Sequence, residues 1–359
     1  MPRKMTYDRW LFVTPCILLL GGMAILGSAS LFVAMKYDFS SSNYYLYRQI
    51  GHAVVGIGLM FGAMMLPYRR LAEQKFVIPI LLISVISLVA VLFFEDVNGS
   101  KRWIDFGIIR LQPSEFVKIG IIILLASILS RKEDRINELS AVAIPVAILV
   151  APIAILVYVE PDLGTALIIV ATTTLLLFAA GLKYRYIVVA AIVGAIPLAA
   201  AILLKPYRLQ RVVEFLSGNS VGQALQSQIA IGSGGLHGVG LGRGHQQAFF
   251  LPEAHTDFIF AVIGEQLGLL GTLAVLASFL ILLWRGLRTT LRAPDRFGFY
   301  LALGITCLLS LQAFTNMAVC VGLVPTTGLA LPFVSYGGSS LLASLTALGL
   351  LINVSQHSN

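Results

Sequence analysis

The chain has 359 residues, of which 58% are hydrophobic and only 12% charged, and carries a net charge of +8. Its mean hydropathy is +0.89. Soluble domains carry roughly 25% charged residues, so this composition excludes a soluble fold, and the basic surplus reads as membrane topology and attraction to anionic lipid, with no nucleic-acid binding.

Apolar stretches long enough to cross a bilayer as helices recur along the whole chain. They predict an all-α integral membrane protein, a single domain over 1–359 built as a polytopic bundle of about ten transmembrane helices. The spans fall near 10–35, 46–66, 76–94, 114–130, 141–158, 163–180, 184–204, 257–284, 297–323 and 335–353. The first follows a basic tail as a signal peptide would. It is too long for a signal h-region and lacks a small-residue cleavage site, so it reads as an uncleaved helix. Ten spans put both termini on one side. With that side inside, 15 of the 25 Lys and Arg residues lie in short inner loops, among them Arg69, Arg70, Arg131, Arg135, Arg285 and Arg296. The positive-inside rule then makes both termini cytoplasmic. Ten basic residues remain on the outer side, including Arg48, Arg110, Arg208 and Arg211. An anionic ligand at that face would explain them.

Between the third and fourth spans runs NGSKRWIDFGIIRLQPSEFVKIG (98–120). Lys101, Arg102 and Trp103 have the makings of a phosphate clamp beside an aromatic platform, although Trp also favours bilayer interfaces for ordinary reasons. Gln112, Ser114 and Glu115 flank or follow Pro113, a residue common at a first helical position. Glu115 and Lys118 are spaced to pair on one helix face, as a structural ion pair or as part of a site. The tight turn YVEPDLGTA (158–166) brings Glu160 and Asp162 together, as a helix cap or as ligands for a hydroxyl or cation.

One long extramembrane segment follows, about 205–256, with a glycine-dense run at 231–245, IGSGGLHGVGLGRGH. It reads either as a flexible loop or as backbone that approaches a ligand closely. Then comes LPEAHTDFIFAVIGEQLG (251–268), where Glu253, His255 and Asp257 crowd the start of a helix. Asp257 is either an N-terminal cap or an ionisable group put to use at the membrane edge, where it suits a general base. Last, NMAVCVGLVPTTGLALPFVSYGGSS (316–340) is broken by Pro and Gly at membrane depth. Such backbone is tolerated only when packed in protein or lining a wet cavity. Cys16, Cys307 and Cys320 lie within predicted helices and suggest neither a disulfide framework nor a metal site. The sequence has no DxD pair, Walker motif or HExxH, so a soluble nucleotide donor or ATP-driven transport is not expected.

Together these stretches resemble the SEDS family (shape, elongation, division and sporulation). The pattern Asn316, Gly322-Leu323, Pro325, Gly328-Leu329 and Ser335-Tyr336-Gly337-Gly338-Ser339-Ser340 is similar to the family's signature, and RWI…QPSE..K, PDLGT and LPEAHTDF match in order. The segments YRLQRVVEFL and QSQIAIGSGGL, with a short cytoplasmic tail, resemble its RodA branch more than its FtsW branch. GHQQAFFLPE departs from both.

The resemblance implies a peptidoglycan glycosyltransferase of the bacterial cytoplasmic membrane. It would join lipid II units into β-1,4 strands on the outer face during elongation, releasing undecaprenyl pyrophosphate by inversion at the anomeric carbon. Asp257 is the expected base. Arg48, Lys101, Arg102 and Lys118 are the expected pyrophosphate ligands, with Trp103, Gln112, Ser114, Glu115, Asp162, Glu253 and His255 lining the substrate site. No cofactor is required by the sequence; a divalent cation at the pyrophosphate is compatible with it. The resemblance also implies a class B penicillin-binding protein as partner, which fits a chain lacking an S-x-x-K motif of its own, and Gly298, Gly304, Ala313 and Ala318 offer close-packing positions. The alternatives are an FtsW-like division polymerase, a lipid II flippase, and a scaffold without activity.

Overall fold

A computed structural model describes residues 7–37, 44–94, 101–105, 110–217, 222–244, 246, 251 and 254–358, with 29–37 as backbone only. Twelve α-helices stand among the described residues. The spans are α1 (Arg9–Tyr37), α2 (Tyr44–Met65), α3 (Gln74–Val91), α4 (Pro113–Lys132), α5 (Ala143–Val159), α6 (Leu163–Ala179) and α7 (Tyr184–Leu203). After two shorter helices, α8 (Pro206–Leu216) and α9 (Gln223–Ser233), come α10 (Ile259–Leu291), α11 (Arg296–Cys320) and α12 (Gly338–Ser355). Seven of them are long and apolar enough to cross a membrane, and α5 and α6, at 17 residues each, are shorter apolar helices. The tenth expected span, α2, has 22 residues but opens with Tyr44, Arg48, Gln49 and His52. Those polar residues lower its hydropathy because they serve a site at its end.

Local chemistry sets the helix starts. Pro113 opens α4 without sacrificing a needed donor, directly after a two-residue antiparallel ribbon that pairs Ile104 with Leu111. Asp162 caps α6 by accepting from the Thr165 amide at 3.0 Å, and Asp295 caps α11 by accepting from the Gly298 amide at 2.7 Å. Prolines inside α1, α3, α5 and α7 are tolerated in a membrane bundle, where neighbouring groups re-satisfy the freed carbonyls.

The core is α4, α11 and α12 with the first turns of α10. Gly349 of α12 lets the helix meet the backbone of α2, since a Cβ there would stand 2.4 Å from the Met60 carbonyl oxygen. Gly304 makes room for the Ile122 side chain of α4, whose Cγ2 a Cβ there would meet at 2.5 Å. Gly298, Gly304 and Ala313 are buried, so the close packing that these positions offer lies within the bundle itself. By contrast α7 buries only Ala201 and turns its remaining faces outward.

The two ends of the bundle differ in charge. At one end Asp8 accepts from Arg285 at 2.8 Å, Arg69 pairs with Asp295 at 2.7 Å and Arg296 with Glu133 at 2.9 Å. Burial alone would raise the Asp295 carboxyl, but hydrogen bonds from Tyr68, the Gly298 amide and Arg69 hold it below its ordinary value. This end collects the basic loops that the sequence places inside. The other end carries the cavity.

Candidate functional site

A cavity of about 1040 Å³ opens at that second end, large enough for a bulky polar ligand. All four sequence motifs reach it. Arg48, Arg102, Trp103, Gln112, Glu115, Asp162, His255 and Asp257 line it, joined by His52, Arg110, Arg208, Arg211 and Tyr336.

Asp257 lies two residues ahead of α10, whose cap is Phe258 without a side-chain cap bond. Asp257 thus stands one position ahead of the capping residue. Its main chain is clamped. Asn316 of α11 donates to the Asp257 carbonyl at 2.7 Å and to that of Leu329 at 2.6 Å. The Cys320 thiol lies 3.8 Å from the same Asp257 carbonyl. Ser335 donates to the Thr256 carbonyl at 2.6 Å, and the Tyr336 amide to that of His255 at 2.9 Å. The Pro- and Gly-broken stretch before α12 is thus a clasp around residues 255–257. The rings of Tyr45, His255 and Tyr336 close one side of it, with Tyr45 centred 4.8 Å from His255 and 5.0 Å from Tyr336. Gly328 has φ +77°, and a Cβ there would stand 3.5 Å from the Asp257 Oδ2.

The PDLGT turn is held from within. Arg102 donates to the carbonyls of Glu160 at 3.0 Å and Pro161 at 2.9 Å. Asp162 accepts from the Thr165 hydroxyl at 2.9 Å and from Gln112 at 3.3 Å. Both Arg102 and Asp162 border the cavity while fastening the turn. Glu160 is fully buried with neither carboxylate oxygen hydrogen-bonded. Burial pushes its carboxyl up to about 8, the Asp162 charge adding to the rise and Arg102 opposing it.

Several expected site residues stand elsewhere. Lys118 is 3% exposed and spends its ammonium on Glu115 at 3.0 Å and Gln312 at 2.9 Å. Ser114 is fully buried. Lys101 is exposed and directed to the Leu92 carbonyl at 3.4 Å. None of the three lines the cavity: Ser114 and Lys118 are buried in the helix packing, and Lys101 is exposed outside it. Glu253 lies outside the described residues.

The cations that do line the cavity beyond Arg48 and Arg102 are Arg110, Arg208 and Arg211. Their trace in the sequence is the surplus of positive charge on the expected outer side. Arg208 and Arg211 come from α8, which runs along the cavity edge, and Arg211 donates to the Thr326 carbonyl at 3.2 Å.

The glycine run takes neither of its two expected roles. It is a packed seam on α10. Val239 and Gly240 donate amides to the carbonyls of Glu265 and Gln266 at 3.0 Å each, and Leu269 returns one to Gly235 at 2.9 Å. These bonds recover helix groups released where α10 bends at Gly268, φ +68°. The two amides are therefore unavailable to a ligand in the cavity.

The FtsW/RodA/SpoVE family model, described as cell cycle protein, matches residues 9–359. The chain is 41% identical over 361 residues to a probable peptidoglycan glycosyltransferase FtsW of Trichlorobacter lovleyi, covering 98% of this chain and 94% of that protein. It is 37% identical over 364 residues to stage V sporulation protein E of Bacillus subtilis, covering 99% of each. Among solved structures, a chain of a peptidoglycan synthase complex that coordinates polymerization and crosslinking superposes with a TM-score of 0.80 at 30% identity, covering 98% of each. The rod shape determining protein RodA of Thermus thermophilus superposes with a TM-score of 0.74 at 30% identity, covering 99% of each.

Proposed function

The chain belongs to the FtsW/RodA/SpoVE family and is a peptidoglycan glycosyltransferase, and from that premise we propose that it polymerises lipid II at the cavity around Asp257, with Asp257 as general base. The observation that carries this reading is the clasp on residues 255–257. Asn316, Ser335 and Tyr336 fix the main chain so that the Asp257 carboxyl borders a cavity rich in arginine.

In the reaction, the 4-hydroxyl of an acceptor GlcNAc attacks C1 of the donor MurNAc as its proton passes to Asp257. The new C1–O4 bond forms while the C1–O bond to pyrophosphate breaks, and the α linkage inverts to β. Arg48, Arg110 and Arg211 are suited to the leaving pyrophosphate, since a guanidinium presents forked donors to phosphate oxygens. Lys101 and Lys118 are dropped from that role. The cavity faces outward from the bacterial cytoplasmic membrane, with both termini inside, on the strength of the basic loops gathered at the opposite end of the bundle.

The partner would be a class B penicillin-binding protein that crosslinks the product. The likeness to a complex joining polymerization with crosslinking supports this, as does the lack of an S-x-x-K motif here. Relatives named FtsW or stage V sporulation protein E align at 37 to 41% identity, and the superposed RodA structure is 30% identical. The likeness to FtsW and stage V sporulation proteins favours a division or sporulation role over the elongation role expected from YRLQRVVEFL.

Polymerisation of labelled lipid II by the purified protein, with and without its partner, tests the reading. Asp257→Ala should lower the rate by ~10²–10⁴-fold in a folded protein. If wild type makes no polymer even with the partner, yet moves lipid II across liposome bilayers, the flippase reading replaces it.

A further inference from the structure

Behind Asp257 lies a second pocket of about 30 Å³, lined by Gln223 of α9, Arg211 of α8, Asn316 of α11 and Thr327. Asp257 and Thr327 border both this pocket and the main cavity. Asp257 therefore stands in the wall between a substrate-sized space and one the size of a single water, for which roughly 10–15 Å³ suffices.

The pocket is polar, and one of its groups lacks a protein partner. The Thr327 hydroxyl oxygen is buried without a hydrogen bond. Thr327 is also fixed in place. Gly164 of the PDLGT turn approaches so closely that a Cβ would meet the Thr327 carbonyl oxygen at 3.0 Å. The next residue, Gly328, sits against the Asp257 carboxylate. Arg211 is tethered to Thr326, which keeps a positive charge at the same pocket and argues against a metal ion there.

We propose that this pocket holds one structural water that accepts from the Thr327 hydroxyl and donates to the Asp257 carboxylate. The water stabilises the ionised form and turns the other carboxylate oxygen toward the acceptor hydroxyl. Thr327 is then a positioning residue that acts on Asp257 through water. The proposal rests on the reading of Asp257 as the base.

The test is the pH–rate profile of lipid II polymerisation for wild type, Thr327→Val and Thr327→Ser, with melting temperatures as the check on folding. Val should lower kcat by about threefold to tenfold, the effect of one lost hydrogen bond. It should also move the acidic limb of the profile up by about half to one pH unit, with KM unchanged, and Ser should restore both. Should Val fail to fold, Thr327→Ala removes the same hydroxyl with less bulk and is read in the same way. An unmoved acidic limb in a folded hydroxyl-free variant overturns the proposal. So does recovery of the lost rate on adding Mg²⁺, which would assign the pocket to a cation. Asp257→Ala in the same assay separates the two levels. If it retains full rate, the base reading itself has failed, whatever Thr327 does.

Discussion

Asn316 and Asp257, 59 residues apart in the chain, meet through a 2.7 Å hydrogen bond from the Asn316 side-chain amide to the Asp257 main-chain carbonyl. The bond leaves the carboxylate out of the contact and fixes the backbone that carries it. The same amide group holds Leu329, so one side chain ties the start of α10 to the loop that precedes α12. The Asn of the family signature is thereby a spacer between two loops.

Asn316→Ala leaves two carbonyls without that donor, at a cost of about 1–3 kcal/mol for each buried group left unsatisfied. Melting temperature in detergent should fall. The polymerisation rate should fall further than the loss of folded protein explains, because Asp257 loses its setting. Equal losses in both would show that Asn316 is structural alone.

Gly328→Ala imposes a side chain at φ +77° beside the Asp257 carboxylate. The left-handed conformation costs a non-glycine residue roughly 1–2 kcal/mol, and a displaced carboxylate costs about 10²-fold in rate for about 1 Å of movement. Kinetics on protein of verified fold should show kcat reduced by at least tenfold, a factor of that order. Near-normal kcat would mean that the loop gives way without moving Asp257.

Lys118→Met tests whether this lysine serves the substrate or the bundle. Losing one partner of a buried ion pair typically costs about 3–5 kcal/mol, because Glu115 is left charged and unpaired. The single variant should melt well below wild type, and Glu115→Gln combined with Lys118→Met should recover part of the loss. A stable single variant with weakened substrate binding would return Lys118 to the pyrophosphate.

Glu160 makes stability depend on pH. Its carboxyl is pushed from 4.5 to about 8 in the folded protein, so folding takes up a proton between those values. The contribution is complete below about 4.5 and is lost as pH rises through about 8. Thermal melting at pH 6 and pH 9 should show wild type losing more than Glu160→Gln, in which that titration is removed. Parallel pH dependence in the two proteins would place the titration elsewhere.

The helices were legible because twenty apolar residues in a row admit few other readings, and the ends of α4 and α6 followed from Pro113 and Asp162. The convergence of four motifs was legible only through the family pattern, since nothing in QPSE or PDLGT points at Asp257. Depth was not legible. The spacing of Glu115 and Lys118 announced a pair, but whether the ammonium faced the cavity depended on Gln312, 194 residues away. His52 of the cavity follows Arg48 by one helical turn. It escaped notice because a single histidine in an apolar span has no pattern of its own. The glycine run misled because its partners, Gly264 and Gly268, lie on another element. A run of glycines looks slack until the surface it lies on is known.

That seam has a consequence for how the protein tolerates change. A Cβ on Gly234 would fall 1.9 Å from the Gly264 carbonyl oxygen, and one on Gly238 2.1 Å from that of Gln266. A stretch with the composition of a linker therefore hides two positions as intolerant as any in the core, Gly234 and Gly238, among exposed neighbours. Saturation mutagenesis across 234–240 should find few survivors at those two glycines and many at exposed Leu236 and His237, and an epitope inserted there would unseat the bend at Gly268 and, with it, the start of the helix that follows Asp257.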